Sequence, residues 1–125
     1  MIELTTTGDS ALIRVHGNLD ATTAPDLRDA LCWAVDRHPG VVVDLAGSPR
    51  VDPAGLGVLI RAHGRAKHRG GVLCLVAPSR FVLTVLHTMH VDGVFPIFDE
   101  CMTALRWVRA ETSASAAGAS VLNSR

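Results

Sequence analysis

This 125-residue chain is poor in aromatic residues, which make up 4% of it, and it has a single lysine, Lys67. It also lacks any apolar run near the roughly 18 residues of a membrane span. Its best run, Gly71-Val72-Leu73-Cys74-Leu75-Val76-Ala77, is the size of one strand. The first residues carry no basic patch leading into an apolar core, so no secretory signal is expected. The three cysteines, Cys32, Cys74 and Cys101, are scattered. They match neither a zinc pattern nor a paired disulfide framework, which suits a reducing compartment and a cytoplasmic protein. No Ser–His–Asp order, paired acids or glycine-rich phosphate loop is present, so no catalytic residue and no cofactor is expected. His87 and His90 are three apart on a helical pattern, but no third metal ligand has a fitting spacing.

What remains is ordinary globular material. Apolar residues make up 48% and charged residues 19%, and the length suits one compact domain. The net charge of zero hides a polarity. Residues 1–52 carry eight acids against four bases, and residues 53–91 carry five bases (Arg61, Arg65, Lys67, Arg69, Arg80) and no acid. Four of those bases fall in the second half of one predicted helix, where the carbonyl end favours cations. With no rings interleaved among them, stacking on nucleic-acid bases is not supported.

Ile2–Thr6 and Ala11–His16 predict two short strands around a Gly8-Asp9-Ser10 turn. Thr23 reads as a helix N-cap, with Pro25 near the start and Asp26 completing a capping box. Leu27, Ala30, Leu31, Ala34 and Val35 repeat at helical spacing, and Pro39-Gly40 ends that helix. Val41–Leu45 is a nearly continuous apolar strand, as in a parallel sheet covered on both faces. A second helix is predicted from Pro53 to about Arg69, closed by Gly70-Gly71. A buried strand over 72–77, a helix capped by Ser79, a short strand at Phe95-Pro96-Ile97-Phe98 and a last helix from Asp99 to about Arg109 complete the pattern. The order is β-β-α-β-α-β-α-β-α: an α/β domain, with about five strands in a mostly parallel or mixed sheet and about four helices; helices on one side with the other sheet face more open are also compatible with this order. The domain is expected over 1–110. Residues 111–125 are Ala, Ser, Thr and Gly without periodicity, and read as a disordered or loosely attached tail.

The most telling segment is Val51-Asp52-Pro53-Ala54-Gly55-Leu56-Gly57, where a strand passes through a short loop into a helix. Asp52 suits the N-cap, and Pro53 suits the first helical position because its missing N–H costs nothing there. This segment resembles the signature of STAS domains, the family of bacterial anti-sigma factor antagonists. The likeness extends over roughly residues 2–109 and includes Gly17-Asn18-Leu19-Asp20, Gly70-Gly71 and Phe95–Phe98. In that family the Asp is followed by a hydroxyl residue, usually serine, which a partner kinase phosphorylates. Here that position is Pro53, followed by Ala54.

The resemblance implies a non-enzymatic interaction module that binds an anti-sigma factor of the serine-kinase type and so frees a sigma factor. It implies no direct contact with nucleic acid and no membrane insertion, and it leaves a homodimer open. The contact residues it implies are Asp20, Arg50, Asp52, Pro53, Ala54, Gly55, Leu56 and Ser79. The alternative is a STAS subunit that docks an ATPase in a transporter or lipid-trafficking complex. For Asp20 and Asp52, turn and cap chemistry is the competing explanation. Ser48, Thr22 and Thr23 are candidate substitute phosphoacceptors, and Cys32, Cys74 and Cys101 are candidates for redox control. No residue pattern places a nucleotide.

Overall fold

The computed structural model describes residues 1–91 and 93–123, with side chains up to Thr112. Its elements are β1 (Ile2–Thr7), β2 (Ser10–His16), α1 (Ala24–Arg37), β3 (Gly40–Gly47), α2 (Pro53–His68), β4 (Val72–Val76), α3 (Arg80–Thr88), β5 (Ile97–Phe98) and α4 (Cys101–Asn123). This is the expected order. The strands form one sheet in sequence order, β1-β2-β3-β4-β5. The β1–β2 hairpin is antiparallel and every later pair is parallel.

Because each crossover moves one strand further in the same direction, right-handed connections put α1, α2 and α3 on one face of the sheet. Strand alternation then sorts the side chains. Ala11, Ile13, Val15, Val41, Val43, Leu45, Leu73 and Leu75 face those helices and pack with Leu27, Leu31, Leu56, Leu59, Val82 and Leu86. Leu12, Val42, Cys74 and Val76 face the other way and are covered by Ala104 and Val108 of α4. Both faces of β3 are therefore dry, which explains its unbroken run of valines. The α4 cover stops short of the hairpin end. There Glu3, Arg14 and His16 stay exposed, with Arg14 Nε 3.3 Å from Asp44 Oδ2 and His16 Nε2 3.4 Å from Glu3 Oε1.

Two local expectations are revised. Thr23 precedes α1, but its side chain makes no cap bond to that helix. The reciprocal pair lies further upstream: Asp20 Oδ1 accepts from the N–H groups of Thr22 and Thr23 at 2.9 and 3.2 Å, and Thr23 Oγ1 accepts from the Asp20 N–H at 2.9 Å. The capping box thus joins Asp20 and Thr23, not Thr23 and Asp26. The backbone of α4 continues to Asn123, beyond the end near Arg109 suggested by the apolar spacing. The side chains of residues 113–125 lie outside the described residues.

Candidate functional site

Parallel strands end together, and the loops that follow β2 and β3 meet at one edge of the sheet. Their meeting is built from backbone. Leu19 and Val51 form a parallel bridge, the Leu19 N–H donates to Arg50 O, and the Asp52 N–H donates to Leu19 O, both at 2.9 Å. The residue after each bridge partner is an aspartate, so Asp20 and Asp52 stand side by side on one rim.

Asp52 begins α2. Its Oδ1 accepts from the N–H groups of Ala54 at 3.0 Å and Gly55 at 3.2 Å, and its carbonyl accepts from Leu56 at 2.9 Å. Pro53 has no N–H to offer. The donors of the first turn are thus consumed internally, which leaves this helix end little capacity to cradle a phosphate. Pro53 and Ala54 are exposed. Gly55 is buried, and a Cβ there would lie 2.5 Å from Leu19 Cγ and 3.1 Å from Leu19 O. The glycine therefore lets α2 sit against the Asp20 loop. Leu56 is 1% exposed and belongs to the core. The surface on offer at the rim is accordingly Asp52, Pro53 and Ala54, with Gly55 and Leu56 supporting it from below.

The start of α3 closes the rim. Ser79 Oγ donates to Pro49 O at 2.8 Å and accepts from the Val82 N–H at 3.1 Å, so one hydroxyl caps α3 and ties it to the β3–α2 loop. Arg50 extends from that loop with its guanidinium carbon 5.2 Å from the centre of the Phe81 ring, a cation–π contact. Phe81 is 45% exposed and was not singled out from sequence. The available signal was an aromatic residue in the first turn after a capping serine, on the solvent side of Val82. Asp20, Arg50, Asp52, Pro53, Ala54 and Ser79 are thus brought to one edge, and Phe81 joins them.

The candidate substitute acceptors differ in access. Ser48 is fully buried, so a kinase cannot reach its hydroxyl in the folded chain, whereas Thr22 is exposed. The cysteines lie away from the rim. Burial pushes the Cys74 thiol up to about 12, with Cys101 adding to the effect. The Cys101 thiol is also raised, first by burial and then by its 3.1 Å hydrogen bond to Asp44 Oδ2. Thiol exchange needs the thiolate, so both environments disfavour it at neutral pH. Cys32 is half-buried on α1, facing α2. Among the described residues, no group of three His, Cys, Asp or Glu side chains could hold a metal, and no helix is long and apolar enough to cross a membrane.

A family model described as "Mlab, STAS domain" matches residues 2–99. Solved structures share the architecture. The anti-sigma factor antagonist SpoIIAA in its unphosphorylated form superimposes with a TM-score of 0.78 at 18% identity, covering 88% of this chain and 97% of its own. An anti-sigma factor antagonist from Mycobacterium paratuberculosis gives 0.78 at 25% identity, over 87% and 93%. A sulfate transporter family protein from Wolinella succinogenes gives 0.75 at 16% identity, over 87% and 92%.

Proposed function

Because the chain belongs to the STAS domain family, we propose that it is an anti-sigma factor antagonist held permanently in its binding-competent form. It occupies an anti-sigma factor of the serine-kinase type in the cytoplasm, releases a sigma factor, and performs no chemistry of its own. The observation that carries this reading is the exposed rim on which the Leu19–Val51 bridge sets Asp20 beside Asp52 and Pro53. In a relative with serine at the first helical position, phosphorylation adds about −1.5 to −2 charges next to the Asp52 equivalent and enlarges a surface that must fit a partner. Like charge and added bulk both oppose docking. Proline offers no oxygen to modify, so that route to release is closed here.

The test is a kinase assay with binding measured alongside. Incubation with the cognate anti-sigma kinase and ATP leaves the intact mass unchanged, while Pro53→Ser gains one phosphate and loses affinity. Phosphate on the 52–57 peptide of the unaltered chain overturns the reading. Ala54→Arg, at an exposed helix position, abolishes capture of the kinase without altering the fold.

A second reading is favoured by the likeness to a sulfate transporter family protein: the same rim docks an ATPase in a transporter or lipid-trafficking complex. Affinity capture separates the two, since it recovers either a kinase-type anti-sigma factor or transporter subunits, and Ala54→Arg loses whichever is bound.

A further inference from the structure

Away from the rim, α1 and α2 pack side by side but leave a slot of about 290 Å³ between them. It is lined by Leu31, Cys32, Val58 and Ala62 together with Arg28, Arg61 and Arg65. The slot exists because α2 turns small side chains, Val58 and Ala62, toward α1. Leu31, Val58 and Ala62 are 1%, 5% and 7% exposed, so the floor of the slot is continuous with the core.

The charges around the slot are unevenly matched. Arg65 is held by Asp36 through two bonds of 2.9 Å, from Nε and Nη2. Arg28 has only a 3.6 Å approach to its neighbour Asp29. Among the described residues, no acid pairs with Arg61. The mouth therefore keeps a positive excess while the interior offers no polar partner beyond one thiol. Arg65 is engaged by Asp36, whereas Arg61, whose guanidinium lies over Gly57 of the same helix, keeps its charge for a ligand.

We propose that this slot binds a free medium-chain carboxylate, with its aliphatic tail between Leu31, Val58 and Ala62 and its head group on Arg61 and Arg28. A planar carboxylate suits the guanidinium fork. A cavity of this size lies at the small end of ligand pockets and accommodates a chain of about eight carbons. A nucleotide is disfavoured because, beyond the arginines and one thiol, the lining is apolar and offers no acceptor set to orient a base. The site is distinct from the rim and does not depend on which partner the rim takes.

Octanoate titrated into the isotope-labelled full chain tests the proposal by amide NMR. Saturable shifts are expected at Leu31, Cys32, Val58 and Ala62, in the absence of any partner protein. Hexanoate binds more weakly by roughly fourfold for each CH₂ removed. Arg61→Glu, an exposed change that leaves the amide spectrum native, weakens octanoate at least tenfold. Ala62→Phe fills the slot and removes binding; its folding is checked by the same spectrum, and Arg61→Glu stands alone if it fails to fold. Octanol and octylamine produce no matching shifts. The proposal is overturned by octanol binding as well as octanoate, by unchanged affinity in Arg61→Glu, by shifts centred elsewhere, or by no saturable response through the millimolar range.

Discussion

Cys74 shows how one atom couples this fold to pH. Its thiol is completely buried between β4 and α4, and burial raises its pKa from the ordinary 9.0 to about 12. The folded chain thus holds this proton more tightly than the unfolded chain does. The stability contributed by the neutral thiol is fully present below pH 9 and is lost as pH rises from 9 toward 12, on the order of 4 kcal/mol in all. Urea unfolding below pH 9 and again near pH 11 should show the decline, and Cys74→Ala should reduce it from a lower starting value, leaving the share that the raised Cys101 thiol contributes. An equal decline in the variant would assign the alkaline loss to other groups. The same burial is why a cysteine within an apolar run could be read from sequence as core. The Cys101–Asp44 hydrogen bond could not, because its partners are 57 residues apart. At the rim, the capping role of Asp52 was legible because N-cap chemistry is local. The stacking of Arg50 on Phe81 was not, since it depends on how α3 is tied to Pro49.

Among the elements, helix ends were read more closely than helix contacts. Asp52 and Ser79 cap α2 and α3 as their side-chain chemistry suggests. The Asp20–Thr23 pair was misassigned by one turn because threonine, proline and aspartate in succession fit a capping pattern in two registers. Glycines make the contrast testable. Gly40 opens β3, and a Cβ there would collide with the Val108 side chain of α4 and come within 3.2 Å of Ser10 Oγ. Gly64 lies inside α2 with nothing within 4 Å of its would-be Cβ. Gly40→Ala should therefore destabilise by about 1–3 kcal/mol through overpacking. Gly64→Ala should stabilise by about 0.5–1 kcal/mol through helix propensity alone. Chemical denaturation of both variants checks the pair. Equal effects at the two sites would mean that α4 does not hold Val108 against β3. Gly55 belongs with Gly40: its contact with Leu19 makes Gly55→Arg a folding variant, so Ala54→Arg is the better probe of the rim.

For the whole molecule, the alternation of strands and helices was enough to anticipate a largely parallel sheet, and the continuous apolar run in β3 pointed to cover on both faces. How the four helices divide between those faces was not legible, because handedness and strand order jointly decide it. The outcome places α1–α3 together and leaves the second face to α4 alone. That division makes α4 indispensable over a limited length. Its buried anchors are Ala104 and Val108, set against Leu12, Val42, Cys74 and Val76, and no apolar periodicity continues past Glu111. A chain ending at Thr112 should unfold at the same temperature as the full chain, consistent with a domain over about residues 1–110 and a dispensable tail. A chain ending at Glu100 should expose the four sheet residues, bind a hydrophobic dye and aggregate, since removing the cover strands a buried apolar face in water. A fall in melting temperature for the longer truncate would place part of the domain's stability in residues 113–125 and move the boundary toward the C-terminus.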